Sequence, residues 1–210
     1  MRYSDVKIDH VPASSRKRTG RHMEPQYITV HNTGNPSSTA ANERAYLTNP
    51  SNTTTTAYHI VLDAKQAIEC VPLNEVAYHA GDGRNGPGNS QSIGIEICES
   101  GDYAANEQAA VELIADLLIR YGWPVDRVRS HQSWSGKHCP RLILPHWMEF
   151  IGRIVARMEV IKMAEVQDWQ LVAIAEVCER FGLDKAYWLA KAGQPVTVGE
   201  LFGVLNKVAK

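Results

Sequence analysis

Three residues of metal-ligating type stand where a folded chain could bring them together. His31 closes the apolar run YITVHN, His131 closes RVRSHQ, and Cys139 follows eight positions later in the polar stretch SGKHCPR. Two histidines and one thiolate form a three-ligand zinc set with an open fourth position, the arrangement of a catalytic site. A closed structural site would need a fourth protein ligand and close-spaced pairs, and neither is visible. Each ligand also has a plainer reading: a strand-end histidine as a hydrogen-bonded surface residue, a lone cysteine as buried filler. His138, next to Cys139, competes for the same place, and His59 and His79 are further candidates.

Two charged residues add chemistry to that set. Glu96 falls in the middle of SIGIEIC, where Ile93, Ile95 and Ile97 share one face of a strand and Gly94, Glu96 and Cys98 the other. A carboxylate there costs desolvation unless it has a partner or a task. It is either one half of an ion pair, an edge-strand residue, or a general base for a metal-bound water. Lys137 precedes Cys139 by two residues. It is either a solvated loop lysine or a cation placed to stabilise a developing oxyanion.

The elements that must position these residues are legible from period and punctuation. YITVHN, AYHIVLD, AIECVPL and SIGIEIC are short, rich in apolar and β-branched residues, and bounded by Gly, Pro, Asn or Asp, so they read as strands, with RVRSHQ as a fifth. His59 alternates away from Tyr58 within its run, so those two side chains are expected to face opposite ways. Val111, Ile114, Leu118 and Tyr121 place one apolar stripe on a helix that ends near Gly122 and Pro124, and a further helix opens after Pro145 and runs to at least about Met158. Strands mixed with helices in this order imply an α/β domain, a single central mixed β-sheet flanked by helices. After about residue 160 the strand signals stop. Leu171, Ile174, Ala175 and Cys178 form a helical stripe ending at Gly182, and Thr197 to Glu200 fits a capping box that opens a last helix. The expected division is therefore residues 1–158 as the site-bearing domain and 160–210 as a small C-terminal helical module or extension.

Composition excludes several classes. The 210 residues carry 22 Lys+Arg against 23 Asp+Glu, with 44% apolar and 21% charged residues. That balance is globular rather than disordered, and it lacks the basic excess of a nucleic-acid binder. No run of about 18 uncharged apolar residues exists, so no membrane insertion is expected. The four cysteines include no CxxC pair, and Cys70, Cys98 and Cys178 sit in apolar patterns as buried small side chains. Residues 1–30 carry six basic and three acidic groups, with Arg16, Lys17, Arg18 and Arg21 clustered in a segment without periodicity. This cluster reads as a solvated arm, or more weakly as a patch for an anionic polymer. The N-terminal MRYSDVKIDHVP has no apolar core of the kind a signal peptide needs.

From Tyr27 to Leu144 the chain resembles the zinc-dependent N-acetylmuramoyl-L-alanine amidases of phage lysins, in the superfamily that includes the peptidoglycan recognition proteins. YITVHNTGNPSS, TAYHIVLD, VAYHAGDG, NSQSIGIEI and SHQSWSGKHCPRL carry the resemblance, over more than half the chain and in order. It implies Zn2+ as cofactor on His31, His131 and Cys139, with Tyr58, Glu96 and Lys137 as the functional residues around it. It also implies a peptidoglycan hydrolase, an endolysin that cuts the amide between N-acetylmuramic acid and the L-alanine of the stem peptide. Glu96 would take a proton from the attacking water, and Lys137, with Tyr58, would hold the oxyanion.

The loop HAGDGRNGPGNS, residues 79–90, then reads as substrate rim with His79 and Arg84 as contacts, or else as a flexible connector. The expected partner is bacterial cell-wall peptidoglycan, and the expected location is synthesis in the host cytoplasm without a signal peptide, then action on the wall after release. The alternatives are a host autolysin or wall-remodelling amidase, and a non-catalytic peptidoglycan-binding module, which in this superfamily lacks the zinc-binding cysteine. Residues 160–210 lie outside the resemblance. Their Trp169, Tyr187, Trp188 and Phe202 serve either as small-domain core or as stacking platforms for wall sugars. Oligomeric state is open.

Overall fold

The computed structural model describes residues 1–191 and 197–208, without the side chains of 163–170, 190, 198, 201, 206 and 208. Six strands form one sheet: β1 (Lys7–Ile8), β2 (Tyr27–Asn32), β3 (Ile60–Leu62), β4 (Ala67–Glu69), β5 (Ser92–Ile97) and β6 (Val128–Ser130). Their order is β1-β4-β3-β5-β2-β6, with only the β3–β4 pair antiparallel. The sheet is thus mixed, as expected, with β1 added to the five strands read from sequence. Two residues are too short to leave a periodic signature. The run AYHIVLD contributes only Ile60–Leu62 as strand, so Tyr58 and His59 precede it rather than alternate within it.

The helices of the first part are α1 (Ala40–Leu47), α2 (Pro87–Ser90), α3 (Tyr103–Tyr121) and α4 (Gln132–Ser135). Asp102 caps α3 by accepting from the Ala105 N–H, and Gly122 ends it at φ 66°, a left-handed turn that a side chain would oppose. On one face of the sheet Val61, Ile68 and Cys98 pack with Ala40 and Leu47 of α1. By alternation Ile60 and Leu62 turn to the other face, where α3 packs on β3 and β5. Helix α5 (Trp147–Phe181) opens where the Pro145 signal placed it, and its Phe150, Ile154 and Met158 form a buried stripe at four-residue spacing.

The N-terminal basic cluster is not a solvated arm. Lys17 is only 1% exposed and donates to Asn52 Oδ1 at 2.7 Å and Thr54 Oγ1 at 2.9 Å. Arg18 grips Glu75 with two hydrogen bonds, of 2.9 and 2.6 Å, and Arg21 donates to the Arg84 carbonyl and to Asn85 Oδ1. These acceptors lie more than thirty positions away in sequence, so local pattern does not show them. The Arg18 guanidinium holds the Glu75 carboxyl below its usual range. A depressed folded-state value means stabilisation that is present above the unfolded pKa and lost as pH falls through the folded one. Glu75→Gln is therefore expected to cost roughly 2 kcal/mol near neutral pH, the size of a charge-assisted hydrogen bond. In thermal unfolding between pH 7 and pH 3 that deficit should close on the acid side. A deficit independent of pH would refute the charge argument.

The chain forms two compact units, Met1–Met158 and Glu159–Lys210. The second holds the remainder of α5 together with α6 (Lys185–Ala190) and α7 (Val198–Val208). Asp184 caps α6 through the Tyr187 N–H, and the capping box is realised, with Thr197 and Glu200 each accepting the other's backbone N–H. Tyr187 and Phe202 are exposed, Trp188 is half-buried, and the side chain of Trp169 lies outside the described residues. No helix among the described residues is long and apolar enough to cross a membrane.

Candidate active site

The parallel direction of β2, β5 and β6 collects the chemistry at one end of the sheet. His31 is the fifth residue of β2, Glu96 is its register partner on β5, and His131 follows β6 directly. The pairing of Val30 with Ser130 sets the two histidines side by side. Their Nδ1 atoms lie 2.9 Å apart, and Cys139 Sγ is 3.9 Å from His31 Nδ1. One donor atom from each of the three residues falls within 4.8 Å of the others. Among the described residues this is the only such group, and His138 is exposed and outside it.

Cys139 is brought there by a tight connection. The short α4 ends at Gly136, φ 77°, and the Gln132 N–H donates to the Cys139 carbonyl at 2.9 Å. Asn32, next to His31, accepts the Leu142 N–H on its side-chain oxygen at 2.9 Å, clamping this loop onto the end of β2. Cys139 is buried, contrary to what its polar sequence neighbours suggest. Burial pushes its thiol up to about 11. The same cause holds His31 well below the usual histidine range and puts His131 at about 4, so both rings are neutral near pH 7. Neutral imidazoles and a thiol that yields its proton to a cation are the donor set of a zinc or similar site.

Glu96 is neither edge residue nor ion-pair partner. It lies on an interior strand, and the nearest group able to carry positive charge is His31 Nδ1, 3.9 Å from Oε1. Its Oε2 is buried without a hydrogen-bond partner. Burial, with the Glu43 charge adding to it, pushes the carboxyl up to about 8, while Lys137 pulls it back. An orphaned carboxylate oxygen beside three convergent ligands fits a site that holds a cation and a water.

Lys137 and Arg84 are exposed and line a cavity of about 600 Å3 together with Gly81, His131 and Ser135. Both face that cavity. Tyr58 does not. Tyr58 is buried against α1, and its hydroxyl donates to the Glu43 carbonyl at 3.0 Å, so its proton is committed away from the trio. Burial raises its phenol far above the ordinary value.

His79 lines that cavity too, but its ring is committed to the fold. It is buried, and its ring bonds to His31 Nε2 at 3.0 Å and to the Ser92 carbonyl at 3.1 Å. Nor is its loop a flexible connector: Asn89 Oδ1 accepts the His79 and Ala80 N–H groups, and Asp82 accepts those of Gly88 and Asn89. The sequence signal for this arrangement was Gly94, an isolated glycine in a strand, which marks close approach of another group. A Cβ there would lie 2.7 Å from the His79 ring.

Residues 21–142 match the family model described as N-acetylmuramoyl-L-alanine amidase. The chain belongs to that family. N-acetylmuramoyl-L-alanine amidase CwlA of Bacillus subtilis (strain 168) is 46% identical over 143 residues, covering 65% of this chain and 52% of that protein. Amidase XlyB of the same organism is 50% identical over 126 residues, covering 58% and 39%. The amidase fold is shared as well. The solved catalytic domain of XlyA superposes with a TM-score of 0.68 at 43% identity, over 71% of this chain and 98% of that one, and PlyL with 0.65 at 40%, over 71% and 96%. This amidase chain spans roughly half the length of the curated relatives it matches.

Proposed function

We propose that this chain hydrolyses peptidoglycan at the amide joining the lactyl group of N-acetylmuramic acid to the L-alanine of the stem peptide, as a zinc enzyme. The observation that carries this reading is the convergence of His31, His131 and Cys139 beside Glu96, whose Oε2 is unpartnered, with His131 also lining a cavity that Lys137 and Arg84 face. Zinc is supported by the neutral two-nitrogen, one-sulfur donor set, held by His31 Nδ1, His131 and Cys139 Sγ. When bound it supplies a Lewis acid that polarises the scissile carbonyl and acidifies water.

The chain's own groups do the rest. Glu96, raised to about 8, is poised to take a proton at Oε2 and return it to the leaving amine of alanine near neutral pH. Lys137 places its ammonium on the rim, where it offsets negative charge developing on the carbonyl oxygen. Arg84, on the same rim, suits an anionic group of the stem peptide. Tyr58 anchors α1 through the Glu43 carbonyl, and no role at the oxyanion is assigned to it.

Purified protein incubated with bacterial walls should release free N-terminal alanine. New reducing ends without free alanine would point to a glycosidase and overturn the reading. A non-catalytic binding module is disfavoured by Cys139, which such modules lack. The lysin role, acting on the wall after release from a host, is supported by likeness to the solved "Mutant endolysin from Bacillus subtilis", 44% identical with a TM-score of 0.66.

Residues 159–210 are proposed as a helical module that holds the enzyme on the wall, with exposed Tyr187 and Phe202 available for stacking on sugars. Removing them should leave hydrolysis of soluble muropeptides unchanged and weaken sedimentation with whole walls. Loss of activity on the soluble substrate would show instead that the unit supports the first one's fold.

A further inference from the structure

We propose that His79 is a positioning residue that decides which nitrogen His31 presents to the metal. The inference rests on the metal reading of the trio and starts from an atom that cannot change its role. The carbonyl of Ser92 only accepts, so the His79 Nε2 facing it at 3.1 Å carries the hydrogen. A second proton on the ring would make a buried cation whose two ring partners, the His31 imidazole and the Ser92 carbonyl, carry no negative charge to offset it. His79 Nδ1 is therefore a bare acceptor. It sits 3.0 Å from His31 Nε2, which must then be the donor. His31 is left with its lone pair on Nδ1, the atom that faces His131 Nδ1 and Cys139 Sγ. In the other tautomer a proton would stand where the metal bond has to form.

The relay is held firmly. Strand β5 carries Ser92, whose carbonyl takes the outer hydrogen. Two residues on, Gly94 leaves room for the ring, which a Cβ would meet at 2.7 to 2.8 Å. Behind His79 stands His59, edge-on with ring centroids 5.6 Å apart. His59 is itself fixed by accepting the Gly94 N–H at 2.8 Å and bonding the Glu75 carbonyl at 2.8 Å. The backbone of His79 is tied down through Asn89. The His31 and His79 rings stand nearly perpendicular, at 85° with centroids 5.1 Å apart, and their facing nitrogens are at hydrogen-bond distance.

The test uses the full chain labelled with 15N-histidine. In the metal-free wild type, long-range 1H–15N spectra should show His31 protonated on Nε2 and bare on Nδ1, and zinc should perturb Nδ1. His79→Phe keeps the ring's bulk but removes the acceptor, and zinc affinity should fall by about 10- to 100-fold. His79→Asn, whose side-chain oxygen can take the place of Nδ1, should restore it to within a few-fold. A role confined to packing would lower the melting temperature and leave zinc affinity of the folded protein intact, and that result would overturn the proposal. So would His31 carrying its proton on Nδ1 in the wild type, a measurement that decides the matter even if His79→Phe fails to fold. Failure of zinc uptake by the wild-type chain would overturn the metal reading itself, and the inference with it, and is told apart by arising before any substitution.

Discussion

Glu96→Gln is expected to keep its zinc and lose turnover by the order of 10²-fold or more, the contribution of one positioned general base. The side chain keeps its shape and its place beside His31 on the paired strands, so metal content and substrate affinity should stay near wild type. Only the ability to accept a proton is removed. Because Oε2 has no partner in the fold, the amide's NH2 breaks no existing hydrogen bond, and stability should change little or rise slightly. Lys137→Ala should behave similarly in kind: zinc retained, fold retained, turnover reduced, since its side chain is exposed. Turnover of alanine release, metal content and the melting temperature, measured together, check all of this. A Glu96→Gln protein with zinc bound and normal turnover would remove Glu96 from the mechanism. With Tyr58 committed to the Glu43 carbonyl, the base would then have to come from a group outside those discussed.

The opposite signature is expected for His31→Ala and Cys139→Ser: zinc and activity are lost together. Either change leaves two protein donors where three converge, and His31→Ala also removes one of the two hydrogen-bond partners of the His79 ring. The serine hydroxyl is a poor substitute for a thiolate toward zinc. Both residues are nearly fully buried, so some loss of stability accompanies the loss of metal. Adding zinc to the wild-type apoprotein should raise its melting temperature, since a ligand that binds only the folded state stabilises it by mass action, and should leave that of His31→Ala unchanged. A Cys139→Ser protein with full metal content and full turnover would show that the sulfur is not a ligand.

Much of this was legible in the chain itself. The core of the sheet announced itself as β-branched runs, the α3 stripe and its Gly122 stop as a 3.6-residue period with punctuation, and the last helix as a capping box. These are local properties, set by backbone sterics and by groups a few residues apart, so a linear reading recovers them. The residue types at positions 31, 131, 139, 96 and 137 allowed a metal, a base and a cation, but each also had a plainer reading, and it was the resemblance carried by the surrounding motifs that favoured the metal.

What needed the tertiary structure was everything set by register and by long-range hydrogen bonds. Nothing local says that Val30 pairs with Ser130, which is what sets His31 beside His131, or that His31 pairs with Glu96 across β2 and β5. A shift of one residue in either pair would turn a functional side chain to the opposite face. The same holds for His79, which lines the cavity while Ser92 and His31 hold its ring, and for Lys17 and Arg18, whose charge predicts solvent while acceptors 35 to 57 positions away hold them in the fold. Tyr58 was misjudged for the same reason, because its partner Glu43 sits on a helix fifteen residues earlier. Side-chain chemistry is written in the sequence; which lone pair faces which proton is decided only when distant segments meet.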